Sequence, residues 1–301
     1  MLGTIALVLG QSATGAWSSG RPPECSDAPG RAASVWERAK SPELRHYCDL
    51  VANASSKLVG TSTMAQSALD DARQAEGVLP GRAAPRALEG RALAVLGHLD
   101  QALAALQDAK GRDAGVLDDP QTLLAWARVL ARTGHAQESV SAYRTLLPRA
   151  SALSSADRFV ATTEAGLVAM ACGPSTVDEA VAAFRESLRA SQTDAETVAV
   201  LGLALALDRR GEADEARALL SNRRRGDPRS VLSGRRAREL LSAAPVETQA
   251  LVAFGLEAID PWAARESWES YLSSAPAGPW AAHVRAHLAA LPPGRSGRGA
   301  R

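Results

Sequence analysis

Residues 87–109 read ALEGRALAVLGHLDQALAALQDA, and their spacing decides the fold. Gly90 is followed seven residues on by Gly97, then by Ala102, Leu106 and Ala109 at steps of five, four and three. Steps of three and four keep Ala102, Leu106 and Ala109 on one face of a helix. Gly97 falls where the first apolar stretch ends, and a left-handed residue closing a helix is least strained as Gly. The segment predicts two helices joined by a tight turn, with small residues at Gly90 and Ala102 letting them approach closely.

The same frame returns in both directions along the chain. It gives Ala127, Gly134, Ser139, Tyr143 and Leu146, and again Ala204, Gly211, Ala216 and Leu220, with Pro228 twelve residues beyond Ala216. Looser copies place Ala180, Phe184 and Leu188, then Ala264, Trp268, Tyr271 and Pro276, while Ala65, Leu69 and Ala72 suggest an N-terminal one. The equivalent positions 65, 102, 139, 180, 216 and 264 lie 37, 37, 41, 36 and 48 residues apart. One helix pair cannot bury its apolar face alone, so neighbouring pairs must stack. The longest interval implies an extra helix around Arg229–Ala243.

Composition agrees with helices. Of 301 residues about one in five is Ala, Arg outnumbers Lys 31 to 3, and aromatics make up 4%. That mixture favours helix and excludes an all-β sandwich or barrel. A formal net charge of +1 argues against a whole-protein field for nucleic acid. At 46% apolar the chain is not globally disordered.

The repeated frame resembles the tetratricopeptide repeat (TPR) family over roughly residues 61–291, most clearly at about 83–116, 120–153 and 197–228. The resemblance implies an all-α fold, a right-handed superhelical solenoid of helix–turn–helix repeats. It also implies a non-enzymatic scaffold that holds a partner peptide or helix in a concave groove lined by the first helix of each pair. Groove positions in that family map here to Arg91, Ala94 and Val95, to Arg128, Ala131 and Arg132, and to Leu205, Asp208 and Arg209. Partner binding is therefore expected at Arg91, Arg128, Arg132, Asp208 and Arg209, with guanidiniums favouring an acidic protein or peptide. The Lys/Asn clamp of chaperone-binding members is not reproduced. Residues 264–291, ARESWESYLSSAPAGPWAAHVRAHLAAL, look similar to the closing repeats of bacterial periplasmic proteins that coordinate peptidoglycan synthesis with outer-membrane constriction. An envelope-assembly or cell-division accessory role is the alternative function.

Residues for chemistry are few. No phosphate-binding glycine loop, nucleophile elbow or zinc-protease motif occurs, so no catalytic residue, cofactor or enzyme activity is assigned. His283 and His287 lie four apart on one helical face and would need a third ligand to hold a metal. They read as a solvated pair on a capping helix, and no metal is assigned. Arg223, Arg224, Arg225, Arg229, Arg235, Arg236 and Arg238 are opposed only by Asp227 within their stretch, yet no aromatic interleaves them. They read as solvated surface, and nucleic acid is not an expected partner.

The short apolar run Met1–Leu9, followed by small residues through Ala16, predicts a signal peptide over 1–20, although no basic residue precedes it. A linker is expected at 21–32, N-terminal helices at 33–78 and repeats at 79–228. The extra helix and a degenerate repeat with its capping helix follow at 229–292, and a disordered tail at 293–301. No segment is long enough to cross a bilayer as a helix. Export makes the expected location periplasmic or secreted, with cytoplasmic as the alternative. In an oxidising compartment Cys25 and Cys48 would pair, leaving Cys172 as a small apolar thiol.

Overall fold

The computed structural model describes residues 22–25, 41–58, 64–190, 196–223 and 227–293. The expected signal peptide, most of the linker, Arg224, Arg225 and nearly all of the tail lie outside the described residues. Among those described, every regular element is a helix and no strand occurs. The chain divides into two compact units, 1–122 and 123–301, a division that falls inside the stretch expected as one run of repeats.

In the first unit, helices α1 (Pro42–Lys57), α2 (Ala65–Val78), α3 (Ala83–Leu96) and α4 (Leu99–Arg112) each pack on the next. Gly90 on α3 faces Leu106 of α4 so closely that a Cβ there would stand 2.6 Å from Leu106 Cγ. Gly97 ends α3 with φ +84°. Its N–H donates to the Ala94 carbonyl at 3.2 Å and the next N–H, of His98, to Leu93 at 2.9 Å. This is the paired hydrogen bonding by which a left-handed residue satisfies the last carbonyls of a helix. Ahead of α1, a short 3₁₀ turn (Pro23–Cys25) is tied down twice. Cys25 and Cys48 form a disulfide, and Tyr47 Oη donates to Glu24 Oε1 at 2.9 Å. The bridged residues are 23 apart. In the loop-closure model Cys25→Ser should therefore lower stability by about 3 kcal/mol. Urea denaturation checks this, and an unchanged midpoint would mean the bridge constrains nothing.

The second unit continues from α5 (Pro120–Arg132), which begins at the division, with α6 (Ala136–Leu146), α7 (Ser155–Cys172), α8 (Val177–Ala190), α9 (Glu196–Arg209) and α10 (Ala213–Arg223). Gly134 and Gly211 repeat the Gly97 turn with φ +85° and +92°. The anticipated extra helix is two short ones, α11 (Pro228–Leu232) and α12 (Arg235–Leu241), because Ser233 and Gly234 interrupt it and the Gly234 N–H turns back to the Val231 carbonyl. Helices α13 (Pro245–Leu256), α14 (Pro261–Ser274) and α15 (Ala281–Ala290) close the unit. Helix α9 is buried along nearly its whole length and touches α7, α8, α10 and α13. No described helix is long and apolar enough to cross a membrane.

The equivalent small positions Ala65, Ala102, Ser139, Ala180, Ala216 and Ala264 are all buried. The bulky positions Leu106, Tyr143 and Phe184 are buried too, whereas Leu220 is only half-buried. Phe184 on α8 fits between two glycines. A Cβ on Gly166 of α7 would lie 2.8 Å from its ring, and one on Gly202 of α9 would lie 2.5 Å from it. Gly202→Ala should cost about 1–3 kcal/mol by overpacking. A thermal melt matching the parent would show that the ring is free to move aside.

Candidate functional site

The arginines expected to meet a partner are turned inward. Arg91 is 6% exposed, and its Nη1 lies 3.4 Å from Asp119 Oδ2. The same carboxylate oxygen caps the next helix, accepting from Thr122 N–H at 3.0 Å and Thr122 Oγ1 at 2.7 Å. Arg209 is 8% exposed and pairs with Glu247 at 2.6 Å. Neither presents a guanidinium to a partner, which corrects the expectation for both. A face that looks free on its own helix is covered by the following elements.

Arg128 and Arg132, one turn apart on α5, do come together, but on an internal carboxylate. Glu164 of α7 is fully buried and lies 2.9 Å from Arg128 Nε and 3.1 Å from Arg132 Nη2, while Tyr143 Oη donates to it at 2.9 Å. The negative charge of Glu164 raises the Arg128 pKa, and burial followed by Glu164 holds the Tyr143 phenol well above its ordinary value. Both guanidiniums also reach Glu239, Arg128 at its carboxylate and Arg132 at its backbone oxygen. Of the Arg-rich stretch, Arg229, Arg235, Arg236 and Arg238 are exposed, and Arg229 pairs with Asp227.

A groove of about 670 Å³ lies between α6 and α8, with α7 beneath. Val140, Leu147, Ala165, Ala169 and Ala183 give it an apolar lining. Its rim carries Arg144 and Glu179, which pair at 2.7 Å, and Glu186, which pairs with Arg189. Arg158 also lines it, with an Nε shielded from solvent that has no hydrogen-bond partner among the described residues. The groove is walled by the second helices of successive pairs, not by the first helices that carry the expected positions.

A second cluster gathers around the end of α9. Asp208 Oδ2 lies 2.8 Å from His283 Nε2 and 2.9 Å from His287 Nε2, and the two Nε2 atoms are 3.1 Å apart. On its other side His287 Nδ1 meets Glu257 Oε1 at 2.7 Å, and Trp268 Nε1 donates to that oxygen at 2.8 Å. Trp268 stacks on His287 with ring centroids 5.1 Å apart, Phe254 meets His287 edge-on at 5.9 Å, and Trp280 meets His283 at 6.0 Å. Burial opposes protonation of His287, but hydrogen bonds and charge from Asp208 and Glu257 outweigh it and push the pKa up to about 9. Burial would raise the Asp208 pKa, yet the two imidazoles hold it well below the usual carboxylate range. The histidines are thus not the solvated pair expected, and Asp208 faces them rather than a partner. The i, i+4 spacing was visible in the sequence; the third group, 75 residues earlier, carried no local signal.

No protein-family model and no curated protein matches the chain. Among solved structures it is similar to YrrB, described as a TPR protein with an unusual peptide-binding site, at 14% identity over 71% of this chain and 97% of that one, TM-score 0.40. It is similar to TTC0263, a thermophilic TPR protein of Thermus thermophilus, at 18% identity over 69% and 97%, TM-score 0.36. The Cut9–Hcn1 hetero-tetramer of the APC/C gives 12% identity over 85% and 57%, TM-score 0.38.

Proposed function

We propose that this chain is a non-enzymatic scaffold for protein–protein interaction, and that it holds a partner segment in the groove between α6 and α8. The observation that carries this reading is an apolar trough with one shielded, unpartnered guanidinium nitrogen, on Arg158. The protein itself covers that nitrogen, but the partly exposed guanidinium borders the trough without an ion-pair partner among the described residues, which favours a ligand that brings a carboxylate. An acidic side chain or terminal carboxylate within an apolar segment would satisfy Arg158 while its apolar residues cover Val140, Leu147 and Ala183.

Peptide display against the full chain tests this. Selected segments should combine apolar residues with a carboxylate. Arg158→Ala, or Ala182→Trp at an exposed lining position, should weaken binding of a selected peptide by about tenfold, or 1.4 kcal/mol. Binders indifferent to both changes, or no binders at all, would overturn the groove assignment.

For location we propose an oxidising compartment, periplasmic or extracellular, supported by the Cys25–Cys48 bridge. An envelope accessory role is compatible with that compartment. Thiol labelling of protein from its native source, under denaturing and non-reducing conditions, should modify Cys172 alone. Three labelled cysteines would place the protein in a reducing compartment.

A further inference from the structure

Asp208, His283 and His287 each offer a ligand atom, and all three atoms lie within 4.8 Å of one another. We propose that they bind a divalent transition-metal ion, Zn²⁺ by the chemistry of the donors, through His283 Nε2, His287 Nε2 and Asp208 Oδ2. The proposal is independent of the α6–α8 groove.

Three features point to a cation. The first is convergence. Two imidazoles one helical turn apart on α15 aim their Nε2 atoms at the same carboxylate oxygen on α9, at 2.8 and 2.9 Å. The second is that protons on the two Nε2 atoms cannot satisfy all three ligand atoms at once. If both imidazoles donate Nε2–H to Asp208, two N–H groups confront each other across 3.1 Å. If one Nε2 is left bare, its lone pair faces the carboxylate oxygen. A single cation at the centre accepts lone pairs from all three atoms at once.

The third feature is the surrounding shell. Metal-bound histidine usually donates its other ring N–H to a carboxylate, which fixes the tautomer and the ring orientation. His287 has that partner in Glu257 at 2.7 Å, and Glu257 is itself held by Trp268. Aromatic rings pack against both imidazoles, so the donors are oriented before any ion arrives. Tetrahedral zinc takes nitrogen and oxygen ligands at about 2.0–2.2 Å, which separates the ligand atoms by about 3.3 Å. The present separations of 2.8, 2.9 and 3.1 Å need open by only a few tenths of an ångström. Two imidazoles favour zinc over magnesium or calcium, which prefer oxygen. Only three protein ligands leave a fourth position for water or an incoming carboxylate. The bound ion would staple α15, which closes the chain's last repeat, to α9 at the centre of the second unit.

The test uses the full-length protein, stripped with a chelator and titrated with Zn²⁺ by calorimetry. One equivalent should bind at micromolar concentrations, raise the thermal midpoint, and be replaceable by Co²⁺ with the intense visible bands of a tetrahedral site. His283→Gln and Asp208→Asn should each lower Zn²⁺ affinity at least tenfold and abolish the midpoint shift. Glu257→Gln, which leaves all three ligands in place, should lower it by about 10–100-fold. His287 is packed among aromatic rings, so the more exposed His283 and the isosteric amide at Asp208 decide the matter, with far-UV circular dichroism showing that each variant is folded. No bound equivalent in the parent, or Zn²⁺ affinity unchanged in both His283→Gln and Asp208→Asn, would overturn the site.

Discussion

Glu164→Ala should lower the stability of the protein by about 3 kcal/mol or more, since breaking a buried charge pair from one side strands the other charge. Here one carboxylate with no exposure serves three donors: Arg128, Arg132 and Tyr143. Removing it leaves the phenol of Tyr143, which is 2% exposed, without an acceptor. The guanidiniums of Arg128 and Arg132 are partly exposed and keep some contact with Glu239 and with water, which places the loss toward the lower end of the roughly 3–5 kcal/mol range. Glu164→Gln retains an acceptor for Tyr143 but not the charge, so it should fall between parent and Ala. Urea midpoints with an unchanged slope are the readout. A loss below about 1 kcal/mol for Glu164→Ala would mean that the glutamate is the replaceable member of this network, with Glu239 and water serving the arginines in its place.

The contrast between what the sequence reveals and what it hides follows from range. The turns were legible because each depends on one residue's backbone freedom: Gly97, Gly134 and Gly211 all carry positive φ. The buried small positions were legible because periodicity states which face of a helix is apolar, and Ala102, Ala180 and Ala216 lie on it. The break between α11 and α12 has a local cause in Ser233–Gly234, yet one continuous extra helix was expected there. The charged clusters were not legible. Arg91, Arg128, Arg132 and Arg209 sit on faces that look free when each helix is considered alone. Glu164 stands in an apolar helix, 36 residues from Arg128, and Glu247 is 38 residues from Arg209. Periodicity names the face a helix offers but not the residue that a later helix lays across it. The histidine cluster shows both cases at once, since the spacing of His283 and His287 is local and their meeting with Asp208 is not.

The Arg209–Glu247 pair should respond differently to single and double replacement. Its side chains are 0% and 1% exposed, with Nη1 and Oε2 2.6 Å apart. Glu247→Ala leaves a buried guanidinium without its counter-charge and should cost about 3–5 kcal/mol. Joint replacement by apolar residues of similar volume, Arg209→Met with Glu247→Leu, should be neutral or stabilising by up to about 4 kcal/mol. The pair is well aligned but poorly completed. Arg209 Nε and Nη2 are buried with no hydrogen-bond partner among the described residues, and what else meets the cation is aromatic: the face of Trp280, 4.6 Å from the guanidinium carbon, and the ring of Tyr271 at 6.0 Å. Burial raises the Glu247 pKa despite the opposing charge of Arg209. A carboxyl whose folded pKa is raised contributes stability below the ordinary carboxylate range and loses it as pH rises through the folded value. The parent should therefore give up stability through this residue over the interval that opens at about pH 4, where an ordinary carboxylate titrates, and ends at the raised folded value, and the doubly apolar chain should not. Its advantage should widen over that interval, as measured by denaturation at each pH. A double variant as unstable as Glu247→Ala, with a deficit against the parent that does not change with pH, would instead make the ion pair a net source of stability in this unit.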